Sequence, residues 1–235
     1  MAQFLLIHGA SHGAWCWAEL QEELAKLGHK ARAIDLPSHG TDPAPPEQVT
    51  LGDYARAIVQ ALVPDTILVG HSMGGYPITL AAEVAPKRIS ALVYLCAYTP
   101  WPGKTIAHMG RLGGHHTMQG VTEMAPDRLS FTYRKSAADR FYQDCAPAAR
   151  DAALARLTPQ PVAPLTTAFT PRRALTVTRH YITCLHDQAI LPEQQSEMAA
   201  RFPGENRHEI ETGHSPFLAA PVRLAQLLHD IAQNV

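Results

Sequence analysis

The chain has 235 residues, 46% hydrophobic and 17% charged, with 20 Lys/Arg against 21 Asp/Glu and a net charge of −1. That length suits one domain with a full core and room for an insertion. The near-neutral balance offers no polyelectrolyte surface for nucleic acid or an anionic membrane, and no apolar run approaches the ~20 residues of a membrane span.

In chain order, Gln3 to Ile7 predicts a buried strand, followed by the loop His8-Gly9-Ala10-Ser11-His12-Gly13-Ala14-Trp15. Trp17, Leu20, Leu24 and Leu27 share one helical face, and Gly28 closes that helix. Lys30 to Ile34 reads as a second strand, ending in Asp35-Leu36-Pro37-Ser38-His39-Gly40. Past a proline-rich stretch, Thr50 and Asp53 form a capping-box pattern. The helix they open turns Leu51, Tyr54, Ile58 and Leu62 inward and stops at Pro64. Thr66 to Val69 is a short strand, and Tyr76 to Ala85 an apolar helix with Pro77 in its first turn. Ile89 to Cys96 is the next strand. This alternation demands a parallel sheet with helices on both faces.

From Tyr98 the rhythm breaks. Residues 104–126 carry Gly, His and Met without a period, and Ser136 with Asp139 makes a second capping-box pattern. Pro147 to Leu157 reads as an Ala-rich helix, and 158–171, with four prolines, as loop. Residues 100–172 are therefore expected to be a helical cap inserted into a core of residues 1–99 and 173–235. The alternation resumes with a strand, Tyr181 to Leu185, that ends in His186-Asp187. A helix follows from Pro192 to about Phe202. A last short strand with Glu209 to Glu211 leads to Thr212-Gly213-His214, and a final helix from Pro221 buries Leu224, Leu227, Leu228 and Ile231.

Between the third strand and its helix stands Gly70-His71-Ser72-Met73-Gly74-Gly75, a G-x-S-x-G pattern in the strand–turn–helix setting a nucleophile elbow requires. A serine hydroxyl attacks nothing until a base takes its proton. His214 follows the last strand, and Asp187 lies 27 residues upstream of it, giving the chain order Ser72, Asp187, His214. Asp35 precedes the nucleophile inside a Pro/Gly turn, which suits a structural role, and Glu211 lies within the last strand. The oxyanion needs two N–H donors, assigned to Met73 and Ala10. His8, His12 and Gly13 shape the turn. His115 and His116 have no further ligands at metal spacing. No nucleotide fingerprint is present, so neither metal nor cofactor is expected.

Phe4-Leu5-Leu6-Ile7-His8-Gly9-Ala10-Ser11-His12-Gly13-Ala14-Trp15-Cys16-Trp17 resembles the opening of α/β-hydrolases of the plant methylesterase and hydroxynitrile lyase group, with their bacterial esterase relatives. The Asp35–Gly40 turn, the elbow and Asp187-Gln188-Ala189-Ile190 carry the same resemblance. It implies an α/β-hydrolase fold: an about six-stranded, mainly parallel sheet with a helical cap, and carboxylesterase activity without a cofactor. The lyases have Thr where this chain has Gly9, and Lys after the catalytic His where it has Ser215. Both departures favour an esterase. A cyanohydrin-type lyase and a non-catalytic ligand-binding module remain the alternatives.

The cap's Met109, Met118, Met124, Phe131, Tyr133, Phe141 and Tyr142 predict an apolar pocket for aryl or medium acyl groups. Gly9, Ser11, His71, Ser215, Trp101, Phe131 and Phe141 are its candidate lining. Residues 101–173 hold ten Lys/Arg against five Asp/Glu, scattered rather than in a dense run. Cys16, Cys96, Cys145 and Cys184 lack C-x-x-C spacing and read as buried free thiols of a reducing compartment. With no charged leader and h-region, a cytoplasmic protein acting on a small-molecule ester is expected, and a homodimer stays open.

Overall fold

The apolar runs of the sequence become the strands of one parallel sheet. The structure, a computed structural model, describes residues 1–114 and 116–235. Its first part contributes β1 (Gln3–Ile7), α1 (Ala18–Lys26), β2 (Lys30–Ile34), α2 (Leu51–Ala61), β3 (Thr66–His71), α3 (Gly75–Val84) and β4 (Ile89–Leu95). A middle segment holds α4 (Ile106–Met109), β5 (Thr122–Met124), β6 (Ser130–Tyr133), α5 (Ala138–Phe141), α6 (Pro147–Leu154), β7 (Gln160–Pro161) and α7 (Ala163–Thr166). The chain returns through β8 (Thr178–Cys184), α8 (Pro192–Ala199), β9 (Arg207–Ile210), α9 (Pro216–Ala219) and α10 (Pro221–Ala232). No helix among the described residues is long and apolar enough to cross a membrane.

The sheet order is β2-β1-β3-β4-β8-β9, with every neighbouring pair parallel. The chain lays β2 on one side of β1, then crosses to put β3 on the other. Winding therefore reverses between β1 and β3, and in open α/β sheets ligands bind at the carboxyl ends of such a pair. Both faces are covered, so alternation along a strand only sorts side chains between two cores. Leu5, Ile7, Leu68 and Leu92 pack with Tyr54, Ile58 and Ile78 of α2 and α3. Phe4, Leu6, Ile67 and Val93 pack with Leu20, Leu24 and Leu228 of α1 and α10. At about 1.5–3 kcal/mol for each large side chain removed from water, these layers give the loops above them a rigid base.

Local signals set the helix ends. Asp53 N–H donates to Thr50 Oγ1 at 3.3 Å, and Thr50 N–H donates to Asp53 Oδ2 at 2.9 Å, closing the predicted capping box of α2. Trp17 belongs to a 3-10 turn, Ala14–Trp17, that precedes α1, and it is fully buried. Glu83, near the end of α3, accepts from the backbone N–H groups of Arg172, Arg173 and Ala174 at 2.6, 3.0 and 2.8 Å. Burial opposes the Glu83 charge, but those three donors outweigh it and hold the carboxyl below its usual range.

The middle segment departs from the expected helical cap. β5, β6 and β7 form a three-stranded antiparallel sheet, with Thr122 opposite Tyr133 and Phe131 opposite Gln160. α4, α5 and α7 have four residues each and α6 has eight, ending at Leu154 rather than Leu157. The predicted 158–171 loop contains β7 and α7. Ser136 and Asp139 make no capping box: a 3-10 turn, Lys135–Ala137, runs into α5, which carries no side-chain cap. Elements of two to four residues are too short to display a period, and Pro161 is tolerated because β7 is an edge strand. In the returning part, α8 ends at Ala199 and β9 at Ile210, leaving Glu211 outside the strand.

Candidate active site

β3 ends at His71, and Ser72 takes φ +54°, a left-handed conformation costing a non-glycine residue roughly 1–3 kcal/mol. Ser72–Gly74 form a 3-10 turn that runs directly into α3. The turn is so tight that a Cβ on Gly70 would lie 2.6 Å from the Gly74 carbonyl oxygen, so only glycine fits. Tyr98 N–H donates to the Ser72 carbonyl at 3.0 Å. The strain of the elbow is thus held by neighbouring backbone.

His214 and Asp187 lie on the loops after β9 and β8, which are adjacent in the sheet. His214 Nδ1–H donates to Asp187 Oδ2 at 2.7 Å, and both side chains are buried. Ala189 and Ile190 N–H donate to Asp187 Oδ1 at 2.7 and 2.9 Å, and Gln195 Nε2 donates to Oδ2 at 2.9 Å. Four donors satisfy a carboxylate that would otherwise be very costly to bury. Gln195 was not legible as a site residue, because only the packing of α8 brings it to the loop. The competing acids lie elsewhere. Asp35 accepts from Ala14 N–H at 2.6 Å and from Thr41 at 3.0 and 2.9 Å, a turn-stabilising role. Glu211 is exposed and pairs with His186 at 2.7 Å.

A cavity of about 190 Å³ opens beside Ser72 and His214. Ala10 and Met73 border it, and no loop carbonyl or side chain among the described residues accepts from either N–H. Among the described residues, no Lys, Arg, Asp or Glu lines it. Its wall is aromatic: Phe141 stacks on His214 at 5.5 Å between centroids, and Tyr133 meets Phe141 edge-on at 4.9 Å. Phe131, Tyr98, Ile106 and Met118 extend that surface. No direct hydrogen bond joins Ser72 Oγ to His214; bonds of this kind often tighten only in the substrate complex.

Of the seven expected lining residues, Phe131 and Phe141 face the cavity and five do not. Gly9 lies under the elbow, where a Cβ would sit 2.8 Å from His71 Nδ1 and 3.0 Å from Ser72 Cβ. Ser11 and Ser215 are fully buried. Trp101 packs its ring under the Arg201 guanidinium at 3.8 Å. His71 does not line the cavity; its Nε2–H donates to the His214 carbonyl at 2.8 Å. Tyr98, Ile106 and Ile190 were missed. Tyr98 and Ile190 follow the carboxyl ends of β4 and β8, so position in the sheet alone could have flagged them.

His71, Cys96 and His214 bring ligand-type atoms within 4.8 Å of one another, the one such group among the described residues. Their hydrogen bonds are already committed: His71 Nε2 and Cys96 Sγ both serve the His214 carbonyl, and His214 Nδ1 serves Asp187. Burial pushes the Cys96 thiol up, away from the thiolate a metal would need, and pushes His71 down, so these two pack around the His214 carbonyl as neutral hydrogen-bonding groups. Burial likewise lowers His8, and lowers His12 to about 4. His116 is exposed, and His115 lies outside the described residues. Cys16, Cys96 and Cys184 are buried, Cys145 is half-buried, and all four are free thiols.

A parallel sheet with this strand order, and a strained serine at its reversal point, define the class. Residues 4–227 match the model of the alpha/beta hydrolase family, and the chain belongs to that family. Within it the likeness runs to methylesterases. The chain is 32% identical to methylesterase 4 of Arabidopsis thaliana over 255 residues, 98% of this chain and 96% of the relative. It is 30% identical to norfluorocurarine synthase 2 of Strychnos sp, covering 99% and 96%. The crystal structure of a pyrethroid hydrolase from Sphingobium faniae JZ-2 superposes with a TM-score of 0.87 at 26% identity, covering 99% and 97%.

Proposed function

We propose that the protein is a serine carboxylesterase for neutral esters, working through an acyl-enzyme. Ser72 Oγ attacks the ester carbonyl and passes its proton to His214 Nε2. The carbonyl electron pair becomes an oxyanion, stabilised by the Ala10 and Met73 N–H groups. His214 then protonates the departing alcohol, and water, deprotonated by the same imidazole, releases the acid. Asp187 holds His214 in the tautomer that leaves Nε2 free to accept. The observation that carries this reading is the buried 2.7 Å His214–Asp187 pair, whose His214 lines the same cavity as Ser72. The methylesterase names of the relatives support ester hydrolysis as the reaction.

Residues 100–172 act as the cap over the core of residues 1–99 and 173–235, and their aromatic wall selects the acyl group. A cavity of about 150 Å³ holds benzene, so 190 Å³ suits a one-ring or medium alkyl acyl group. The uncharged lining disfavours acids with a second charge. Four free thiols fit a reducing compartment, the cytoplasm. The test is pre-steady-state hydrolysis of p-nitrophenyl acetate, followed by a panel of methyl and aryl esters graded by acyl size. A stoichiometric burst of p-nitrophenol supports an acyl-enzyme; no hydrolysis of any activated ester would reject the reading.

A further inference from the structure

The β1 loop that carries Ala10 does not hold its own shape. Ser11, the next residue, takes φ +61°, a left-handed conformation that a serine adopts only under constraint. The constraint comes from about 150 residues away. Ser11 N–H donates to Gln160 Oε1 at 3.0 Å, and Thr158 N–H donates to the Ser11 carbonyl at 2.9 Å. Because a backbone N–H can only donate, the Gln160 atom facing it is the oxygen. That oxygen also accepts from His39 Nε2–H at 3.0 Å, while Gln160 Nε2 donates to the Pro161 carbonyl at 2.9 Å and the Tyr54 hydroxyl at 3.4 Å. Gln160 is fully buried, with both ends of its amide satisfied.

The carbonyl of the same peptide, that of Ala10, is held as well. His12 Nδ1–H donates to the Ala10 carbonyl at 2.8 Å, and His12 Nε2 accepts from the Tyr142 hydroxyl at 2.6 Å. Burial keeps His12 neutral, as this pattern of one donor and one acceptor nitrogen requires. Two residues of the middle segment, Gln160 directly and Tyr142 through His12, therefore grip the N–H and the carbonyl of one peptide, Ala10–Ser11, the peptide that follows the one carrying the Ala10 N–H. Gln160 also stands directly opposite Phe131 in the β6–β7 pairing, and Phe131 lines the acyl cavity.

We infer that Gln160 is a positioning residue for the oxyanion donor Ala10, with Tyr142 acting to the same end through His12. On the esterase reading above, on which this rests, the middle segment holds part of the machinery that stabilises the transition state. The strand pair that feels the acyl group through Phe131 is the one that fixes the oxyanion loop through Gln160. Neither side chain touches the reacting atoms. Their effect is confined to where the Ala10 N–H points once the carbonyl oxygen becomes negative.

The test uses Gln160→Met, nearly isosteric but without acceptor or donor, and Tyr142→Phe, which removes one hydroxyl. Each is compared with wild type for kcat and KM on one aryl ester. Each is also titrated with a trifluoromethyl ketone of the same acyl group, whose hemiketal on Ser72 places an oxyanion where the transition state has one. Displacing one oxyanion donor should lower kcat by roughly 10–100-fold, leave KM within about threefold, and weaken the ketone by a factor similar to the kcat loss. Values of kcat and ketone affinity within about twofold of wild type, in whichever variant folds, would overturn the inference. So would a rise in KM with no change in ketone affinity relative to substrate, which marks a pocket defect. If wild type neither turns over esters nor binds the ketone, the esterase reading falls, and this inference with it.

Discussion

His71 Nε2–H donates to the carbonyl oxygen of His214 at 2.8 Å, so the residue before the serine tethers the residue that serves as its base. The two rings lie 4.6 Å apart, and a carbonyl can only accept, which fixes His71 as the Nε2–H tautomer with Nδ1 unpartnered. His71→Leu should remove that tether, costing about 1–3 kcal/mol in denaturant melts. It should also lower kcat about tenfold through a looser His214. A variant of unchanged stability and turnover would show the tether to be idle.

Ser72→Ala should leave the fold intact and reduce ester turnover ~10³-fold or more, the remainder coming from binding and the oxyanion donors. A fluorophosphonate should add one label per chain, on Ser72. Mass spectrometry that still finds the label on Ser72→Ala would move the nucleophile elsewhere.

Asp187→Asn should cost ~10²–10⁴-fold in kcat, because the amide can donate to Nδ1 and stabilise the wrong tautomer. Glu211→Gln, exposed and paired with His186, should stay within about twofold of wild type. Loss of activity in Glu211→Gln with retention in Asp187→Asn would reverse the assignment.

Stability should fall in acid through the buried histidines. His12 is held neutral down to about pH 4, against an ordinary value of 6.5, so between those limits the unfolded chain binds more protons than the folded one. Stability from this group is complete above about pH 7 and is lost as pH falls through 6.5 toward 4. His12 alone contributes a drop of about 2 kcal/mol between pH 7 and 5, and the lowered His8 and His71 deepen it. Urea melts across that range check the slope; a flat profile contradicts it.

Wild-type protein should release no cyanide from mandelonitrile above background. Among the described residues no Lys or Arg lines the cavity to stabilise a departing cyanide, and Ser215 is buried and does not line it. Gly9→Thr does not convert the site, because its Cβ would fall 2.8 Å from His71 and 3.0 Å from Ser72. That variant should lose most esterase activity and gain no lyase activity. Cyanide release by wild type at a rate rivalling ester hydrolysis would overturn the esterase reading.

The core was legible because its signals are dense. Strands buried on both faces are near-continuous apolar runs, and Gly70, Ser72 and Gly74 occur in an order only one turn geometry explains. The pairing of Asp187 with His214 was legible from chain order and from the strand ends that each residue follows. The middle segment was not, since β5 to β7 run two to four residues and leave no period to count. Four of the expected wall residues do not reach the cavity for a related reason. Gly9, Ser11, His71 and Ser215 are near the nucleophile in sequence or in family pattern, but they support the loops from beneath. Gln160 reads as an ordinary polar residue between two prolines, and only tertiary packing reveals four bonds on one amide.

The Glu83 carboxylate, with its three backbone donors at 172–174, has a practical corollary. The segment leaves the core at Tyr98, bonded to the Ser72 carbonyl, and re-enters at a clasp on the last turn of the same helix that the elbow begins. The two junctions therefore flank the elbow and α3, one at each end, and on the proposed reading residues 98–174 form a cassette for grafting acyl preferences between relatives. A transplanted cassette must bring a buried amide in the place of Gln160, or the recipient will bind the new ester and fail to turn it over.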